Sequence, residues 1–149
     1  MHGLWLFLHN MGYIVWIGGG LATMLAGIAA KRFSPAERLA VYRVTSFIQR
    51  ALVGTGAIVT LVTGFILAMP YMETMPSWMG AMMGLGTLGA LIAVTLSVPT
   101  AAKLGRLELD PRGEIPEVFF RLRKRQAWAA TVAGSLGLLA LGAATFYRF

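Results

Sequence analysis

The chain has 149 residues, of which 57% are hydrophobic and only 13% charged, with a net charge of +7 and no cysteine. The lack of cysteine excludes disulfides, thiolate metal sites, iron–sulfur ligation and c-type haem attachment, and so apolar a composition excludes an ordinary soluble domain. The basic excess lies beside apolar stretches, where anionic lipid is the expected partner and nucleic acid is not.

Four stretches without a charge, at 4–30, 51–72, 75–102 and 127–147, are each long enough to cross a bilayer, which takes about 20 apolar residues. They predict an all-α fold, a four-helix transmembrane bundle forming a single membrane domain over 1–149. The first stretch has no basic start and too long an apolar core for a cleaved signal peptide. It carries His9, then Trp16, then Gly18, Gly19 and Gly20. An ionisable side chain inside a span is costly and marks a functional site by default. The imidazole either bonds to a carbonyl or hydroxyl across a helix interface, or serves as a ligand.

The second helix begins before its span. Ser34-Pro35-Ala36-Glu37 reads as a capping box with proline at the first helical position. That gives a helical extension over 35–50, and Pro70 ends the helix near Met69. The third helix starts near Ser77, with a kink expected at Pro99. The fourth opens at Pro116-Glu117, with an extension over 116–126 before its span. Lysine and arginine follow the first and third spans, and only Arg148 lies at the opposite end. The positive-inside rule therefore puts both connecting extensions in the cytoplasm and both termini on the outer, periplasmic side. Trp5, Tyr71, Trp78 and Tyr147 then share the outer interface as an aromatic belt. Small residues every fourth position (Gly18, Ala22, Ala26 and Ala30; Gly80 and Gly84; Ala130 and Gly134) predict the faces where helices approach closely.

No aspartate or glutamate lies in any span, which argues against a carboxylate proton relay. No phosphate-binding or hydrolytic constellation is present. The chemistry rests on His9 and on methionine. Helices 1 and 3 run in the same direction, and Met82 and Met83 lie as deep in the third as His9 does in the first. Imidazole and thioether suit a haem iron. Eight of the nine methionines lie outward, and of these Met72, Met75, Met79 and Met82, together with His2 and His9, offer a soft site for copper. Their alternative role is packing of irregular apolar space.

These residues resemble a group of small four-helix membrane proteins that includes the DUF2269 family, the copper-resistance CopD domain and the HemJ-type protoporphyrinogen oxidase. His9, Trp16 and Gly19 are similar to the first helix of HemJ, and Thr63-Gly64, Leu67-Ala68 and Trp78 to the end of its second and start of its third. Pro116-Glu117, Phe120-Arg121-Leu122 and Trp128 resemble DUF2269. The resemblance implies a multi-pass protein of the bacterial inner membrane and a b-type haem on His9. Met82 stands where HemJ has a lysine, and the HemJ arginine after the first-helix glycine is replaced by apolar residues. The leading expectation is a haem b protein for electron transfer near the outer face. His9 and Met82 or Met83 are then the ligands, and Trp16 and Gly19 shape the pocket. Copper handling is the second expectation. The third is an accessory subunit of a larger membrane complex, or a homo-oligomer.

Overall fold

A computed structural model describes residues 1–146. Tyr147 and Arg148, named above for the aromatic belt and for the topology, lie outside the described residues.

Among the described residues the fold is all helix. Helix α1 (His2–Ala29) ends in a 3-10 turn (Ala30–Arg32). Helices α2 (Pro35–Ile48) and α3 (Thr55–Ala68) form one rod, joined by a π-helical turn (Gln49–Gly54) and closed by a 3-10 turn (Met69–Tyr71). Helices α4 (Ser77–Ile92) and α5 (Val98–Leu104) form another, joined by a second π turn (Ala93–Ser97). Helix α6 (Glu117–Phe146) is unbroken. The four rods, His2–Arg32, Pro35–Tyr71, Ser77–Leu104 and Glu117–Phe146, are each long and apolar enough to cross a membrane. Hydrocarbon offers no partner for a bare amide, so such segments must bond their backbones internally, as these do. Large apolar side chains on their outer faces, such as Ile14, Leu25, Phe47 and Phe65, are about half exposed or more. In water these would be aggregation patches, and in a bilayer they face acyl chains. The chain is a multi-pass helical membrane protein.

The expected start of the second rod holds. The Ser34 amide donates to Glu37 Oε2 at 2.9 Å and its hydroxyl to the same oxygen at 2.6 Å. The distortion expected at Pro99 takes the form of the second π turn, just before the proline. Proline has no amide hydrogen for the carbonyl four residues back, here Thr95, which lies inside that turn.

Helix α1 packs along α3, and α4 along α6. Looser α1–α6 and α3–α4 contacts close the ring, which leaves α1 and α4 diagonally opposite without direct backbone contact. The α1–α3 crossing is glycine on glycine. A Cβ on Gly56 would lie 2.6 Å from the Gly12 carbonyl oxygen and 2.7 Å from the Trp16 nitrogen. This differs from the predicted small-residue stripes: a Cβ on Gly18, Gly84 or Gly134 would meet nothing within 4 Å. Fourfold spacing marks a face without saying which way it points. Here the faces of Gly12, Gly19 and Gly56 turn inward.

The interior is divided lengthwise. Trp16, Val53, Ala57, Ala90, Ala93 and Ala133 form a core in the middle of the bundle. Ala30, Leu39, Tyr42, Leu104 and Phe119 form a second at the basic end, where the Arg38 guanidinium lies 5.0 Å from the Phe119 ring centroid. The connection to α6 turns on Asp110, whose Oδ1 accepts the Arg112 and Glu114 amides at 2.9 and 2.8 Å. Gly113 in that turn has φ +79°, a left-handed conformation that costs an L side chain about 1–2 kcal/mol. Gly113→Ala is expected to lower stability by about 1 kcal/mol, read from the melting temperature in detergent, while the helical circular dichroism stays unchanged.

Candidate functional site

Among the described residues Trp16 lines a cavity on each of its sides. The indole is 3% exposed and packs edge-on to Tyr13, with ring centroids 6.3 Å apart. It fits because α4 and α6 carry glycine there: a Cβ on Gly89 would lie 3.2 Å from Trp16 Cη2, and one on Gly137 would lie 3.6 Å away. The tryptophan is thus a partition held between two glycines.

The first cavity, of about 630 Å³, occupies the end at which α1 and α4 begin. That volume is in the range of small-molecule and cofactor sites. It fills the diagonal gap between those two helices, so His9 and Asn10 of α1 line the same space as Met79, Met82 and Met83 of α4. His9 Nδ1 lies 2.9 Å from the Thr60 carbonyl oxygen. A carbonyl can only accept, so Nδ1 carries the proton and donates it. Thr63 Oγ1 is a second acceptor at 3.2 Å, its own hydroxyl being given to the Val59 carbonyl at 2.6 Å. The helix-interface bond that sequence reasoning allowed for His9 is therefore made by Nδ1. It fixes the tautomer and leaves the Nε2 lone pair unused by the protein among the described residues. Gly64 keeps the ring in place, since a Cβ there would come within 3.0 Å of His9 Cε1.

The other residues singled out by sequence divide into two sets. His2 and Met79 line the cavity with His9, Met82, Met83 and Trp16. Met72 does not: it is 59% exposed on the turn between α3 and α4. Met75 lies off the cavity, its sulfur 3.8 Å from where a Gly80 Cβ would be. Gly19 lines neither cavity and instead packs on Leu52 and Val53. Its role is contact between helices. Pocket residues that sequence reasoning did not name include Tyr13, whose hydroxyl donates to the Gly137 carbonyl at 3.3 Å.

The donor set limits which metals could be held. Among the described residues no three His, Cys, Asp or Glu side chains gather as ligands. A bare zinc or non-haem iron ion needs about that many protein ligands. A haem supplies its own equatorial nitrogens and asks the protein for one or two axial groups, which an imidazole and a thioether can be. A group of that kind fits the residues present.

The second cavity, of about 320 Å³, lies toward the basic end, between α1 and α6. Its floor is a polar network, buried at Gln49 and Ser97 and partly buried at Thr23 and Gln126, that sequence reasoning missed. Gln126 Nε2 donates to Ser97 Oγ at 3.0 Å, Ser97 Oγ to Gln49 Oε1 at 3.4 Å, and Gln49 Nε2 to Thr23 Oγ1 at 2.8 Å. Thr23 Oγ1 donates to the Gly20 carbonyl at 2.9 Å. Gln49 opens one π turn and Ser97 closes the other. Such turns often occur at functional sites, because they redirect a side chain that an α-helix would aim elsewhere.

No family model matches this chain, and no curated protein or solved structure shows significant similarity to it.

Proposed function

We propose that the protein binds a b-type haem in the cavity of His9 and passes electrons at that end of the bundle. The observation that carries the reading is the state of the imidazole. Its Nδ1–H is committed to the Thr60 carbonyl at 2.9 Å, and histidines that bind metals are commonly held this way through the other ring nitrogen. His9 would hold the group through Nε2, and Met82 or Met83, across the diagonal gap, through a thioether. The group would contribute one-electron chemistry. The chain's own residues orient the imidazole through Thr60 and Thr63, and wall off the rest of the bundle with Trp16. With both termini outside, as the basic residues suggest, the site would lie near the outer face of a bacterial inner membrane.

The test is a spectrum. Protein purified from haem-replete cells is expected to show a Soret band that is lost in His9→Ala, while Met82→Leu or Met83→Leu shifts the reduced-state bands without removing the pigment. Colourless wild-type protein would overturn the reading. The copper reading keeps a smaller claim, since His2, His9 and Met79 share the cavity whereas Met72 and Met75 lie off it. Metal analysis of the same preparation, with copper retained and no Soret band, would favour it.

A further inference from the structure

The second cavity plays no part in that reading, and its chemistry is different. On α1 its rim includes Leu21, Met24 and Ile28, 52%, 50% and 53% exposed, and on α6 Leu138 at 54%. Side chains that both line a cavity and face outward mark its mouth. In a membrane this mouth opens onto acyl chains, so whatever enters must be apolar for much of its length.

The floor demands the opposite. The hydrogen bonds from Gln126 through Ser97, Gln49 and Thr23 run in one direction, and their last donor is given to the Gly20 carbonyl. A carbonyl cannot donate, so the direction of the chain is fixed from that end. The head of the chain is left unmade: Gln126 Oε1 is buried and has no partner among the described residues. A buried acceptor left unmade is costly, and a donor reaching it from the cavity that Gln126 lines would recover that cost. One turn along the same face of α6, Arg123 also lines the cavity. Its Nε donates to the Tyr42 hydroxyl at 3.0 Å, which leaves the outer guanidinium nitrogens for an anion. Among the described residues no aspartate or glutamate lines this cavity to take that place.

We propose that the second cavity binds an anionic glycerophospholipid whose head group bears free hydroxyls. Its phosphodiester pairs with Arg123, a head-group hydroxyl donates to Gln126 Oε1, and its acyl chains leave between α1 and α6. Phosphatidylglycerol has this combination. Phosphatidylcholine lacks both the net charge and the hydroxyl donor.

The full chain in phosphatidylcholine nanodiscs, titrated with single lipids, tests the assignment by melting temperature and by native mass spectrometry of retained lipid. Phosphatidylglycerol is expected to raise the melting temperature. Phosphatidylmethanol, which has the anion without the hydroxyl, should do so with about tenfold weaker affinity, and soluble glycerol 3-phosphate not at all. Gln126→Leu should weaken phosphatidylglycerol about tenfold and leave phosphatidylmethanol unaffected. Gly134→Phe provides the block. Gly134 lines the cavity, and a Cβ there meets nothing within 4 Å, so the ring can fill the space without displacing backbone. It should leave the melting temperature in pure phosphatidylcholine unchanged and abolish the rise. An equal rise in Gly134→Phe and wild type would overturn the proposal, as would equal affinity for the two anionic lipids. The rise should persist in His9→Ala, which separates this site from the haem reading.

Discussion

Gly56→Val is expected to force α1 and α3 apart and to destabilise the bundle severely. A Cβ at this position would sit 2.6 Å from the Gly12 carbonyl oxygen, 2.7 Å from the Trp16 nitrogen and 3.1 Å from the Trp16 Cα. All three are backbone atoms, so no rotamer change relieves the overlap and α1 must move away from α3. Overpacking ordinarily costs about 1–3 kcal/mol, and a backbone-on-backbone clash belongs at or above the upper end of that range. The same displacement would part His9 from Thr60, so pigment and fold should be lost together. Gly84→Ala is the matched control: its Cβ meets nothing within 4 Å, and it should be silent. Melting temperatures in one detergent, with pigment content per protein, would settle the comparison. A Gly56→Val protein as stable as wild type would mean that α1 and α3 do not cross here.

Trp16→Ala is expected to cost about 3–5 kcal/mol, the usual range for removing a buried aromatic. The indole is 3% exposed and belongs to the central core with Val53, Ala57, Ala90, Ala93 and Ala133, which are otherwise small. The larger side chains packed against this cluster, among them Tyr13, Ile17 and Leu61, are only partly buried and sit at its edge. The loss would also join the two cavities, because Trp16 lines both. Trp16→Phe should recover much of the stability while leaving a gap at the partition. Thermal unfolding of the two variants would measure the first effect. Broadening of any haem bands at constant pigment content would measure the second.

Much of the fold was legible because it depends on local, one-dimensional signals. The uncharged stretches correspond to the four rods, and Ser34, Glu37 and Ser77 marked true helix starts. His9 stood out for being ionisable in an apolar run. The polar network was not legible, for two reasons. Glutamine, serine and threonine carry no charge, so nothing in the sequence separates Ser97 or Thr23 from residues that merely bond their own helix, as Thr95 does with Leu91. Gln49 fell just before the second uncharged stretch and read as part of a basic extension, whereas it is 3% exposed and joined to α1 and the α4–α5 rod. Gly19 and Met72 failed differently. Sequence gave their depth along a helix but not the direction in which they point, and a residue at the right depth can still face a neighbouring helix or the surface.

The two π turns have a consequence for how the second and third rods can vary. A π turn accommodates about one residue more than an α turn, and one residue corresponds to about 100° of rotation around a helix axis. The lengths of rod before and after Gln49–Gly54 therefore keep separate angular phases, as do those around Ala93–Ser97. Removing one residue from either turn would yield a smoother helix with nearly the same hydrophobicity, yet swing everything beyond it by a quarter of a revolution. At the first of these turns one side chain, Gln49, reaches both Thr23 of α1 and Ser97 of the neighbouring rod.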